Sequence, residues 1–198
     1  VKRIGLLGGS FNPAHGGHRR ISVAALAQLG LDEIWWLVTP QNPLKPVAGM
    51  ALLAARLASA AAAARHPRIR SLAIERELGT TYTVDTIAAL QRRFPADRFI
   101  WIMGADNLAQ FHRWHDWRGL ARRVPIAVFA RPGYSDNGLG APAMAWLRRW
   151  RRASGSDRDW TRWTLPAIVM LRLRLDSRSA TSIRASDPDW AARSFPPA

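Results

Sequence analysis

No cysteine occurs in the 198 residues, which excludes disulfides and thiolate chemistry and leaves any metal to oxygen or imidazole ligands. Nor is there an unbroken apolar run of about eighteen residues, the length a membrane-spanning helix needs. The chain enters a strand at once, without the charged and apolar regions of a secretory signal, so a cytoplasmic setting and no membrane partner are expected. Acidic residues are scarce, 14 against 29 lysines and arginines, for a net charge of +15. That balance is a common footprint of nucleic-acid binding. Yet no helix-turn-helix, zinc-finger or RNP pattern accompanies it, and much of the excess sits late, as in Arg148, Arg149, Arg151, Arg152, Arg158 and Arg162. A basic surface that attracts anionic nucleotides accounts for the charge, and no nucleic-acid partner is expected.

What is present is a 48% apolar chain with ten tryptophans, enough for one domain with a sizeable core. Its organising stretch is Gly8 to Arg20, GGSFNPAHGGHRR, directly after the apolar run Ile4 to Leu7. Two glycines let the backbone turn sharply or approach a ligand closely. A helix beginning near His15 offers unpaired N–H groups and a positive dipole end to an anion. His15 and His18, three residues apart, share a face of that helix, and Ser22 continues the line. Two imidazoles above a helix start make a phosphate grip; a plain strand-to-helix turn with solvated histidines is the bland alternative.

These residues resemble the HxGH signature of the nucleotidyltransferase superfamily, and matching motifs run from residue 4 to residue 184. Within it, the chain is similar to the bacterial nicotinate-nucleotide adenylyltransferase family. The passage WLVTPQNPLKP resembles that family's proline-rich lysine loop, and Tyr82 to Thr86 matches its Y-T-x-D-T. GADNLAQFHRW matches G-x-D-x-L-x-x-F-x-x-W, while RSATSIR at Arg178 to Arg184 resembles I-S-x-T-x-I-R. Two positions depart from the pattern: Asn12, where the family often has aspartate, and Arg178, where it has an apolar residue.

The remaining chain reads as alternating strands and helices. Strands are expected at Glu33 to Val38, Ile69 to Ile74, Arg98 to Met103, Val124 to Ala130 and Leu165 to Leu175. Helices are expected from His15 to Leu29, with Ile21, Ala25 and Leu29 buried and Gly30 as cap, and over the alanine-rich Ala51 to Ala64. A further helix starts near Tyr82, capped by Thr81 or Thr83. Asp106 is either a helix cap or a ligand-facing carboxylate. Phe111, Trp114 and Trp117 form an aromatic stripe, Arg131 closes the fifth strand, and Arg148 to Arg152 form a basic helix face. Residues 134–165 read as an insertion before the last strand. The expected fold is α/β: a Rossmann-like, doubly wound parallel sheet with helices on both faces, in a single domain.

The resemblance implies an adenylyltransferase that transfers AMP from ATP to nicotinate mononucleotide, giving nicotinate adenine dinucleotide and pyrophosphate, by direct in-line attack. It places His15, His18, Lys45 and Arg184 in catalysis. ATP would lie against Gly8, Gly9, Ser10, Phe11, His15, His18, Lys45, Gly104, Ser179, Thr181 and Arg184. Nicotinate mononucleotide would meet Asn12, Tyr82, Thr83, Asp106, Trp114 and the main chain of His115. Mg²⁺ would arrive with ATP, with no metal site of the protein's own. Nicotinamide mononucleotide or phosphopantetheine as acceptor, and a basic nucleic-acid-binding module, are the competing readings.

Overall fold

The computed structural model describes residues 1–40, 48–130, 140–153, 155, 157–172, 185–187 and 189–191. Short apolar runs make its strands: β1 (Arg3–Gly9), β2 (Glu33–Val38), β3 (Ile69–Leu72), β4 (Arg98–Gly104), β5 (Ile126–Ala130), β6 (Arg151–Arg152) and β7 (Ile168–Arg172). They form one sheet in the order β3-β2-β1-β4-β5-β7-β6, every pairing parallel.

Parallel strands require crossovers, and helices supply them. These are α1 (Gly16–Gln28), α2 (Leu53–Ala64), α3 (Ile74–Leu78), α4 (Thr83–Arg93), α5 (Ala105–Gln110), α6 (Trp117–Arg123) and α7 (Pro142–Leu147). Successive strand residues point to opposite faces, and both faces are covered. On one face Leu6, Trp35, Leu37, Trp101 and Met103 pack with Val84, Ile87 and Leu90 of α4 and with α5, α6 and α7. On the other, Leu7, Ile34, Trp36, Ile100 and Ile102 pack with Ala25, Leu26 and Leu29 of α1 and with Ala60 and Ala64 of α2. The expected doubly wound sheet is what the chain builds. Winding runs outward from β1 through β2 to β3, then restarts at β4 and runs the other way. The crevice left at that reversal, above the carboxyl ends of β1 and β4, is where open α/β sheets bind ligands.

Local boundaries differ from the expectations for definable reasons. β3 ends at Leu72, and the chain turns at Ala73 into α3, which closes on Gly79 in the left-handed region at φ 64°. β5 starts two residues late, after Pro125, which has no N–H to give to a ladder. Arg148 to Arg152 is not a helix face: a 3₁₀ turn over Arg148–Trp150 gives way to β6, which pairs with β7. The start of α4 is capped by Tyr82, whose side chain makes no capping bond, rather than by Thr81 or Thr83. Ile21 is only partly buried, while Ala25 and Leu29 are wholly so.

Ser22 belongs to this packing rather than to the histidine line. Its buried hydroxyl donates to the His18 carbonyl at 2.9 Å and accepts from the Trp36 indole N–H at 2.8 Å. Ser22→Ala orphans that indole donor, so a stability loss of about 1–3 kcal/mol is expected. Urea unfolding, read as a lower midpoint at unchanged slope, checks it.

Candidate active site

β1 empties into the turn Gly8 to Ala14, and the need for glycine at Gly8 is steric. A Cβ there would lie 2.5 Å from the ring of Trp101 on β4. Phe11 sits in the left-handed region at φ 48° and is buried, its ring stacked on Trp36 at 5.1 Å and tilted against His18 at 4.7 Å. The hydroxyl of Ser10 is buried with no hydrogen-bond partner. Asn12 uses both ends of its amide within the protein: Nδ2 donates to the Gly49 carbonyl at 2.8 Å, and Oδ1 accepts from the Ala51 N–H at 3.1 Å. An aspartate could not make the first of these bonds, so the amide ties residues 49–51 to the turn.

The two histidines cap α1 reciprocally. His15, the N-cap, accepts the Gly17 N–H on its Nδ1 at 3.1 Å, and His18 Nδ1 accepts the His15 N–H at 3.1 Å. Here imidazoles occupy the roles that serine and glutamate take in the usual capping box. Both rings accept through Nδ1, so each carries its hydrogen on Nε2 as a donor. Their centroids lie 4.0 Å apart. The main chain thereby fixes the tautomer and the direction of two N–H donors at a helix N-terminus, which also attracts anions.

A second cluster stands at the same end of the sheet. Tyr82 is exposed and its ring stacks on His115 at 4.2 Å. Trp114 meets Trp101 edge-on at 6.0 Å and Phe111 at 5.4 Å. Trp101 therefore touches both clusters, one edge against Gly8 and another against Trp114. Phe111 is fully buried, and Trp117 packs on it and on Trp146, as packing residues should. No side chain caps α4, and while the Asp85 and Thr86 N–H groups bond the Tyr82 carbonyl, those of Thr83 and Val84 are left to meet an anion. Gly104 caps α5 without a side-chain bond, and Asp106 in its first turn is exposed. Asp106 is thus not the N-cap, and its carboxylate faces solvent at the carboxyl end of β4. Lys45, Arg131, Ser179, Thr181 and Arg184 lie outside the described residues.

Two site-end residues carried no motif and went unnoticed in the sequence. Arg56 on α2 is 1% exposed, and its guanidinium binds four main-chain carbonyls. Glu75 on α3 is 6% exposed, with Oε2 unpartnered, and its carboxyl is hydrogen-bonded to Thr39 at the end of β2. Neither residue type signals burial in sequence, since both usually lie at the surface. A polar residue on an alanine-rich helix, at Arg56, was the only trace.

The fold and the histidine-capped turn define a nucleotide-binding α/β transferase. A model of the cytidylyltransferase-like family matches residues 6–186, and the chain belongs to that family. It is 59% identical over 191 residues, 96% of this chain and 87% of the relative, to a protein of Erythrobacter litoralis named "Probable nicotinate-nucleotide adenylyltransferase". A relative of the same name from Parvibaculum lavamentivorans is 52% identical, covering 96% of this chain and 94% of its own length. Among solved structures, Plasmodium falciparum nicotinic acid mononucleotide adenylyltransferase complexed with NaAD superposes with a TM-score of 0.65 at 15% identity, covering 93% of this chain and 83% of that one. At that identity the likeness concerns the fold.

Burial holds the Glu75 carboxyl above its ordinary range, the Thr39 bond opposing it. A raised native value means the folded protein keeps the proton to higher pH than the unfolded chain does. Stability is therefore lost as pH rises from near 4.5, the unperturbed value, through the native value. Glu75→Gln should gain stability relative to the parent at neutral pH, with the gain shrinking at and below pH of about 4.5. Paired urea midpoints at acid and neutral pH measure it.

Proposed function

We infer that this chain transfers AMP from ATP to nicotinate mononucleotide, forming nicotinate adenine dinucleotide and pyrophosphate in NAD biosynthesis. The observation that carries the reading is the reciprocal histidine cap of α1 beside a glycine turn, in a chain about half identical to named nicotinate-nucleotide adenylyltransferases.

An oxygen of the mononucleotide phosphate attacks the α-phosphorus of ATP in line, the bond to the bridging oxygen breaks, and pyrophosphate leaves. No protein nucleophile takes part. His15 and His18 present Nε2–H donors to the α-phosphoryl oxygens and the bridging oxygen, where charge accumulates. The Gly8–Gly9 turn lets the backbone come close to the phosphates, and Ser10, Phe11 and Gly104 line the nucleotide side. Lys45 and Arg184 hold the outer phosphates, with Ser179 and Thr181 lending hydroxyl or N–H groups. On the acceptor side, Trp114 stacks on the pyridine ring. Tyr82, Thr83 and the main chain of His115 meet the nicotinate carboxylate at the uncapped start of α4. Asp106 approaches the mononucleotide, and Asn12 acts on it through the turn it braces.

Mg²⁺ bound to ATP would neutralise phosphate charge. The imidazole Nε2–H donors beside the turn suit phosphate oxygens rather than this hard cation, which favours carboxylates and water. No nucleic-acid partner enters this reading. Among the described residues no helix is long and apolar enough to cross a membrane, and the proposed compartment is the cytoplasm.

Pyrophosphate release should be far faster with nicotinate mononucleotide than with nicotinamide mononucleotide or phosphopantetheine. Equal rates with the amide would sink the acceptor assignment. His18→Ala should slow turnover by about a hundredfold or more, the cost of losing one oriented transition-state donor. A folded variant with the parent rate would remove His18 from the chemistry. Trp114→Ala should raise the mononucleotide KM by roughly ten- to a hundredfold while sparing that for ATP, as loss of one stacking contact does. Initial-rate kinetics with each substrate varied in turn decide it.

A further inference from the structure

Arg56 is a cation buried to 1% exposure on the alanine-rich helix α2, and no carboxylate pairs with it among the described residues. Its charge is instead distributed over main-chain oxygens. Nε donates to the Ala51 carbonyl at 2.9 Å. One terminal nitrogen donates to Ser10 and to Thr39, each at 2.7 Å, and the other to Pro40 at 2.9 Å. Four of its five donors are so used. The acceptors come from three separate pieces of chain: the glycine turn after β1, the exit of β2, and the approach to α2.

Those pieces have one thing in common. Ser10 belongs to the turn that holds the capping histidines, whereas Thr39 with Pro40, and Ala51, flank the stretch of sequence that contains Lys45. Asn12 reinforces the same tie from the turn, through Gly49 and Ala51. A planar guanidinium fixes the angles between its acceptors as well as their distances, which an ammonium cannot do. Were the role only to fill space, an apolar side chain would do so without the cost of burying a charge.

We propose that Arg56 is a positioning residue for adenylyl transfer: its guanidinium clamps the histidine-bearing turn to the exit of β2 and to the approach to α2, holding the turn that carries His15 and His18 in place. It touches no substrate. The inference rests on the reaction proposed above and adds to it a residue that carries none of the motifs.

The test is Arg56→Lys, which keeps the charge but cannot reach all four carbonyls. Misplacement of the reacting groups by about an ångström costs on the order of a hundredfold in rate. With the variant folded, as judged by its melting transition, a rise in ATP KM and a fall in kcat of roughly tenfold to a hundredfold are expected, with the mononucleotide KM nearly unchanged. Peptides covering residues 8–14 and 48–52 should exchange amide hydrogens faster, together, while those of β4 and β5 do not. Parent kinetics in a folded variant, losses in proportion to the unfolded fraction, or unchanged exchange in those two peptides would each overturn the proposal. Turnover by the parent tests the reaction itself, and the exchange measurement judges Arg56 whether or not turnover is seen. Should Arg56→Lys not fold, Asn12→Ala loosens the same tie with Arg56 in place. A smaller rise in exchange of the same two peptides is expected, and unchanged exchange in both overturns the clamp.

Discussion

A single buried guanidinium holds the working end of this sheet together. Placing a cation in the interior costs several kcal/mol even after relaxation, and each charge-assisted hydrogen bond returns only about 1.5–3 kcal/mol. Four such bonds, from Arg56 to Ser10, Thr39, Pro40 and Ala51, offset that cost only if the carbonyls stay in place. The dependence is mutual: the loops give the charge its solvation, and the charge gives the loops a fixed geometry. Carbonyls at the ends of parallel strands point away from the ladder and need partners, so a donor with several N–H groups in one plane suits that position.

On this frame the reaction chemistry needs little more than orientation. The main chain orients the two histidines. Each accepts a main-chain N–H on Nδ1 and so faces outward as an Nε2–H donor. The same bonds that start helix α1 also prepare the donors, and stability and catalysis draw on one geometry. The cluster around Tyr82 and Trp114 is built differently, by ring packing. Trp101 connects the two halves: its ring fills the space that a side chain at Gly8 would take, and Trp114 leans on it edge-on. The glycine turn and the Trp114 cluster are thereby held in fixed relation across one ring.

The arginine excess has a local structure as well. Arg118 and Arg122 lie over Trp146, and Arg149 over Trp150, at 4.8–5.7 Å from the ring centres. Long stems cover aromatic surface while their charged ends remain in water. These three arginines thus coat the tryptophans of α7 and the 3₁₀ turn that follows it. Charge of one sign across the whole molecule still favours encounter with anionic nucleotides.

Most of the architecture was legible in order along the chain. β2 from Glu33 to Val38 and the restart at β4 follow from apolar runs bounded by turn residues, and the glycine–histidine turn announces its own chemistry. Spacing brought His15 and His18 together at a helix start, although His15 is the extended N-cap and only His18 lies on the helix, so it is the reciprocal cap rather than helical period that pairs them. Other features depended on partners far away in sequence. Arg56 reads as a surface residue until four carbonyls surround it, and Glu75 likewise until α3 folds it against Thr39. Asn12 reads as a ligand contact until Gly49 and Ala51 take both ends of its amide. Periodicity records which way a side chain points from its own backbone; only the assembled sheet decides what waits there to meet it.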